Sequence, residues 1–492
     1  WSTTTVNAYV RPLTARYLHS LESGLAGMGF TGRLLVMTAS GGVVTPAIAR
    51  RFPARLIESG PAAGALMAAF LGDRFGEPDL LSFDMGGTTA KGALIRDGRP
   101  LRRYEFEVAR EYGFKHGSGL PLRIPVIDMI EIGAGGGSIA TVDERNLLAV
   151  GPSSAGADPG PACYGLGGKR ATLTDANLTL GYLVADAFLG GRMALDTAAA
   201  EHVIGSDIAA TLNIDSVRAA WGIHEVINED VARAFRVHAS EIGFDYRRCA
   251  MIAFGGSGPA HAIRVARKLR IPKVIFPVGA GVMSAIGLLM TPISYATLRS
   301  RRIRLDELDA AGLESGFASI EKQARELLIE AGVPGEEIES ERRLDMRFQG
   351  QGHEVEVQLP DNPDVADLAD LFRQTYAQVF ATTPLDAMVE IVNWKIEASG
   401  PRPDFADRYH PFSGARGGEE VIRTVQVYHN DKGGFGPCPV IDRYALAEGR
   451  CIDGPALIQE DEATTVLGPG DRIEVDLLGN LVAILSPSGD AS

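Results

Sequence analysis

Apolar and polar positions along the 492-residue chain follow two rhythms. Short, nearly continuous apolar runs end in glycine, as buried strands feeding tight turns do. Gly32–Ala39, Leu80–Phe83, Cys249–Phe254 and Lys273–Val278 are of this kind, and Ala90–Ile95 leads back from the second as a returning strand. Between them lie stretches with apolar residues every three to four positions, which predict helices over Thr4–Leu25, Ile57–Leu71, Ser216–Gly243 and Gly279–Met290. Strand, glycine turn and helix in succession is an α/β pattern. From about Arg299 the pattern changes. It predicts a charged helix over Leu305–Gly332 and a half-buried strand pair over Arg342–Leu359. A helix over Asp364–Phe380 follows, then a strand over Met388–Glu397 and a small antiparallel sheet in Gly454–Leu485. Residues 1–298 therefore read as an α/β domain and residues 299–492 as an α+β domain.

The glycine turns carry the candidate chemistry. After Leu80–Phe83, Asp84 closes the strand and Met85-Gly86-Gly87-Thr88 makes a tight turn. Bare backbone amides and the hydroxyls of Thr88 and Thr89 then surround a small concavity suited to phosphate. Asp84 is placed to hold Mg²⁺ through water, as this hard cation prefers beside phosphates. An ordinary hairpin with an acidic edge is the other reading of D-x-G-G-T alone. A second nest, Gly133–Ser138 with Gly135, Gly136 and Gly137 at its centre, follows an apolar element bearing Asp128 and Glu131. Two carboxylates beside such a loop suit metal or general-base work, or else they cap and pair structurally. A third turn, Gly255-Gly256-Ser257-Gly258, joins a strand to a helix N-terminus, a ready anion or nucleotide site. Its F-G-G-S-G-P-A-H lacks the third glycine of G-x-G-x-x-G, so the dinucleotide reading fails.

Composition narrows the class. The formal net charge of −14, with no Lys/Arg cluster, argues against nucleic acid. No apolar run reaches the length of a membrane span. The four cysteines are scattered without C-x-x-C spacing, which favours a reducing, cytoplasmic setting. Cys163, in the Gly/Pro-rich loop Gly151–Gly168, has no neighbouring histidine and reads as packing rather than as a nucleophile. His224 and His238 on the long helix read as structural or surface residues, and Thr174 or Asp175 as the cap of the helix opening near Thr172.

Six motifs stand in one order: D-M-G-G-T-T-A-K, E-I-G-A-G-G-G-S-I, G-A-D-P-G-P-A-C-Y-G, T-D-A-N, F-G-G-S-G-P-A-H and G-V-M-S-A-I-G. In this the chain resembles the hydantoinase A/5-oxoprolinase family, which includes N-methylhydantoinases, oxoprolinases and subunits of acetone and acetophenone carboxylases. The resemblance implies an actin-like ATPase (ribonuclease H-like) lobe followed by an α+β C-terminal domain, with ATP and Mg²⁺ as cofactors. It implies Asp84 as the water-mediated Mg²⁺ ligand, with Gly86, Gly87, Thr88 and Thr89 around the phosphates. Lys91 reaches the phosphates or only flanks the hairpin. Gly255, Gly256 and Ser257 would lie at the ribose or base. Family members carry a further D-x-G-G-T hairpin and lobe ahead of this region; no second D-x-G-G-T occurs here, which implies half of an ATP clamp.

The activity so implied is ATP-dependent phosphorylation of the carbonyl oxygen of a cyclic amide (hydantoin, 5-oxoproline or a related lactam), enabling ring opening. Ketone carboxylation and a non-catalytic nucleotide-binding scaffold are the alternatives. A hydantoinase B-type subunit would be the partner in a hetero-oligomer.

Overall fold

A computed structural model describes residues 1–108, 117–380, 387–405, 409 and 419–485. The chain forms two compact units, each gathered from separated stretches. One comprises Trp1–Ala63, Arg102–Ile127 and Leu288–Asp407; the other comprises Gly64–Leu101, Asp128–Gly287 and Arg408–Ser492.

The second unit is built on a mixed sheet. β1 (Leu80–Met85) runs antiparallel to β2 (Ala90–Arg96), and β3 (Met129–Ile132) continues antiparallel beyond β2. On the other side of β1 lie β4 (Ala250–Phe254) and β5 (Lys273–Phe276), parallel to it and to each other. β6 (Cys451–Asp453), β7 (Arg472–Val475) and β8 (Leu481–Ile484) complete the spatial order β3-β2-β1-β4-β5-β8-β7-β6. The parallel centre is buried on both faces, which explains why β1 and β4 read as apolar runs rather than alternations. β8 pairs with β5 through Lys273↔Ile484 to Phe276↔Leu481. The tail expected to form its own small sheet therefore extends this one. A division at residues 298/299 runs along the chain, whereas the compact units interleave across it. The strands Ala456–Gln459 and Thr464–Leu467 join Val421–His429 and Gly434–Asp442 in a separate four-stranded sheet.

Three helices of this unit matter for the site: α1 (Leu173–Thr179), α2 (Ser216–Ile242) and α3 (Gly258–Leu269). α2 is opened by the Asp215 side chain, which accepts from the Arg218 amide, and is closed by Gly243 in the left-handed region. Its buried stripe includes Ile223, Ile227, Val231 and Phe235, one helical face. Phe235 meets Phe83 of β1 edge-on at 5.8 Å, and a Cβ on Gly92 of β2 would fall 2.5 Å from the Phe235 ring. Glycine at position 92 is thus what lets α2 lie against the sheet. α1 is capped by Thr172 rather than Thr174 or Asp175. The Thr172 hydroxyl accepts from the Asp175 amide while the Asp175 carboxylate accepts from Thr172, a reciprocal capping box.

The first unit holds the long helix Ser2–Gly27 and a four-stranded sheet ordered 294–304, 389–399, 339–348, 355–358. The helices Ala310–Glu330 and Leu368–Val379 supply its core, in which Trp394 packs edge-on to Phe317 at 5.1 Å. The strand expected over Gly32–Ala39 shrinks to Val36–Met37, because its partner Val43–Val44 offers only two positions. The Pro/Gly-rich composition of 402–418 and the glycine-bearing stretch 113–123 each predict a loop; most of the first and residues 113–116 of the second lie outside the described residues.

Candidate functional site

Three glycine turns converge where β1 and β4 end. Asp84 is the second-last residue of β1 and stands beside Phe254, the last of β4. The β1–β2 hairpin closes with the Gly86 amide donating to Thr89 at 3.1 Å. Gly87 and Thr88 form its exposed crest, and a Cβ on Gly86 or Gly87 would meet nothing within 4 Å. The second turn lies directly on this hairpin: Gly136 N–H donates to the Gly86 carbonyl at 3.0 Å, and Gly137 N–H to the Gly87 carbonyl at 2.6 Å. No side chain fits between them, since a Cβ on Gly135 would lie 2.6 Å from the Gly87 carbonyl carbon and the Thr88 nitrogen. The third turn is tied to the same strand by Ser257 N–H donating to the Met85 carbonyl at 2.9 Å. Gly255 takes φ +84°, and a Cβ there would fall 2.5 Å from Oδ1 of Asp84.

Asp84 is held from two further sides. Ser284 Oγ donates to Asp84 Oδ2 at 3.2 Å, and Lys91 is its cross-strand neighbour. Burial raises the Asp84 pKa above the ordinary carboxylate range, against the opposing pulls of the Lys91 charge and the Ser284 hydroxyl. Lys91 also pairs in register with Glu131, bridges to it at 3.1 Å, and hydrogen-bonds Thr89. Asp84, Lys91 and Glu131 thus form one row across three strands.

Asp128 does not join them. It stands just ahead of β3, three residues from Glu131, and faces His238 of α2 at 3.9 Å, buried in the unit. Asp128 meets a histidine of α2 whereas Glu131, within β3, meets Lys91, so the two carboxylates do not act as a pair beside the glycine nest. Glu131 remains in the row with Asp84; Asp128 belongs to the side packed on α2.

The remaining motifs hold the loops. Thr174, on the first turn of α1, donates to the Gly136 carbonyl through its amide at 2.7 Å and its hydroxyl at 2.8 Å. The Asp175 carboxylate accepts from the Cys163 amide at 2.8 Å and so fixes the Gly/Pro-rich loop. Cys163 itself is buried, and burial beside Asp175 pushes its thiol pKa up, so it is packing and not a nucleophile. Asn177 bridges two buried histidines: it accepts from His224 Nδ1 at 2.8 Å and donates to His261 Nε2 at 3.2 Å. His261 Nδ1 then donates to Asn228 at 2.8 Å, and the two rings stack at 4.6 Å. Burial lowers the pKa of both, His261 to about 3, so both are neutral. His224 and His238 are interior residues, not surface ones.

Ser284, Thr174 and Glu460 were not visible as site residues in the sequence. Ser284 sits inside G-V-M-S-A-I-G and Thr174 inside T-D-A-N, so a signal existed for both. Nothing marks Glu460, whose carboxylate accepts from the Gly279 amide at 3.0 Å. Among the described residues no group of three or more His, Cys, Asp or Glu side chains could hold a metal ion on its own. One half-buried carboxylate beside two hydroxyls and exposed amides fits Mg²⁺ carried chiefly by phosphates and water, the usual manner of that ion.

Comparison with known proteins bears on this geometry. The sequence profile described as hydantoinase/oxoprolinase matches residues 1–296, and that of the hydantoinase/oxoprolinase C-terminal domain matches residues 306–479. An uncharacterised protein of Methanocaldococcus jannaschii is 37% identical over 98% of this chain and 69% of its own length. Caprolactamase subunit alpha of Pseudomonas jessenii is 31% identical over 96% of the chain and 68% of its own. The gamma subunit of acetophenone carboxylase from Aromatoleum aromaticum is 28% identical over 97% and 66%. The crystal structure of ATP-dependent caprolactamase from Pseudomonas jessenii matches 99% of this chain and 70% of that one, with TM-score 0.80 and 30% identity. The chain thus spans about two thirds of the length of these relatives.

Proposed function

Because the chain belongs to the hydantoinase/oxoprolinase family, we propose that it is the ATP-using part of an enzyme that opens a cyclic amide. The observation that carries this reading is the convergence of three glycine turns on one half-buried carboxylate, Asp84. Asp84 would hold Mg²⁺ through water, which supplies charge neutralisation at the phosphates. The amides of Gly87, Thr88 and Thr89 cradle the phosphates, while the Gly86 amide closes the hairpin onto Thr89 and Gly135, Gly136 and Gly137 are seated beneath. Gly255, Gly256 and Ser257 lie toward the nucleoside. Lys91 is held by Glu131 and Thr89 and tunes Asp84 rather than reaching the phosphates itself.

The γ-phosphoryl group of ATP passes to the carbonyl oxygen of the ring, and ADP leaves. With that oxygen esterified, the ring carbon accepts water, the C–N bond breaks with the nitrogen taking a proton, and a second water frees phosphate from the acyl phosphate. The protein's contribution is position and charge compensation. A hydantoinase B-type subunit would supply the hydrolytic site, in a cytoplasmic hetero-oligomer. Caprolactamase subunit alpha among the relatives favours a lactam substrate. The acetophenone carboxylase subunit favours a second reading, in which a ketone is phosphorylated as its enol and then carboxylated.

Substrate-dependent ATP hydrolysis tests the proposal. ADP release stimulated by a lactam, hydantoin or 5-oxoproline, and lost in Asp84→Asn, supports ring opening. Stimulation only by a ketone with bicarbonate selects the carboxylase. ATP turnover indifferent to every carbonyl compound overturns both.

A further inference from the structure

Glu460 comes from the far end of the sequence and is buried, as is its ion-pair partner Arg443, 3.4 Å away. Its other oxygen accepts from the Gly279 amide at 3.0 Å. Gly279 takes φ +72° and opens the turn Ala280–Val282, which runs into the helix Met283–Leu289. Two contacts leave this turn for the candidate site. The Ala280 carbonyl accepts from the Gly255 amide at 2.9 Å, and Ser284, one turn onward, donates to Asp84 at 3.2 Å. The neighbouring Glu462 closes the remaining side: a Cβ on Gly281 would fall 2.4 Å from Glu462 Cβ.

From this we infer that Glu460 is a positioning residue, which fixes the 279–284 turn and through it the placement of Gly255 and of the Asp84 carboxylate. The inference rests on the ATP reading for its consequence and on the hydrogen bonds alone for its geometry. A carboxylate suits the task because one oxygen accepts from the Gly279 amide while the other faces Arg443, which compensates its buried charge. The effect on nucleotide passes through Gly255 and Asp84; Glu460 touches no phosphate itself. It would make the C-terminal family domain a structural part of the nucleotide site.

The test removes the ion pair in both arms, so that no arm leaves a buried charge unpaired. Arg443→Met/Glu460→Gln keeps an acceptor oxygen for Gly279; Arg443→Met/Glu460→Leu does not. Glu460→Leu in this background should weaken ATP binding at least tenfold relative to Glu460→Gln at matched melting temperature. Amide hydrogen exchange at residues 255–257 and 279–281 should rise at least tenfold in the same comparison. Gly281→Ala, which pushes the same turn from the Glu462 side, should weaken ATP binding in the same direction without touching the pair. Equal ATP affinity and equal exchange in the two double variants would overturn the inference. Exchange that differs in a protein that binds no ATP would support the positioning role and remove the nucleotide reading.

Discussion

A Cβ on Gly255 would sit 2.5 Å from Oδ1 of Asp84 and 2.4 Å from the Met85 carbonyl oxygen. The strand bearing the carboxylate and the turn after the neighbouring strand therefore approach as closely as backbone allows. Gly255→Ala meets two penalties at once, since φ +84° is also strained for any L side chain. It should cost about 1–3 kcal/mol from the backbone alone, lower the urea midpoint, and abolish ATP binding in what remains folded.

Gly135→Ala acts on the same place from the other loop. Its methyl would fall 2.6 Å from backbone atoms of Gly87 and Thr88, which have no side-chain rotamer to yield. The β1–β2 hairpin must shift, and nucleotide affinity should fall at least tenfold, read by equilibrium titration with a fluorescent ATP analogue. An unchanged affinity would place the phosphates elsewhere.

The Ser284 hydroxyl favours the charged form of Asp84, whose pKa burial has raised. Removing it in Ser284→Ala withdraws a stabilising donor, so the pKa rises further and less carboxylate is ionised at a given pH. The acid limb of Mg²⁺-dependent ATP binding should therefore move to higher pH. Lys91→Met should move it the same way. A limb that stays in place in both variants would separate Asp84 from the ion.

How much of this was legible beforehand follows from what each residue's neighbours are in sequence. Asp84 and the three glycine turns could be read because a buried strand followed at once by glycine is a local event. The capping residue was misplaced by two or three positions, because Thr172, Thr174 and Asp175 all carry side chains able to cap and the reciprocal box is opened by Thr172. Asp128 and Glu131 looked like a pair, yet only Glu131 lies in β3, and their partners, His238 and Lys91, come from different elements. Glu460 was invisible because its partners stand 17 and 181 positions away. The tail strands were readable as strands, but periodicity carries no information about which sheet they extend.

His224 and His261 predict an acid sensitivity separate from the site. Both are neutral when folded because burial depresses their pKa, His261 to about 3. In the unfolded chain each takes up a proton below its ordinary value near 6.5, so stability is full above that pH and declines as pH falls toward 3. For His261 alone the loss between pH 7 and pH 5 is about 2 kcal/mol. Urea unfolding at the two pH values should show it, and His261→Gln, paired with the same Asn177 and Asn228, should flatten the slope.

Gly316 offers a control remote from this chemistry. A methyl there would meet the Trp394 ring at 2.3 Å in the core of the other unit. Gly316→Ala should overpack that core, costing about 1–3 kcal/mol, and lower the melting temperature while ATP affinity at low temperature stays unchanged. A loss of affinity in this variant would mean that stability alone governs the binding assays.

The most direct measurement is a calorimetric titration of the protein with ATP, with and without Mg²⁺, in the wild type and in Asp84→Asn. The account predicts binding that Mg²⁺ strengthens in the wild type, and at least tenfold weaker Mg²⁺-dependent binding in the variant with its melting temperature retained. Equal affinity in the two proteins, with or without the ion, would contradict it.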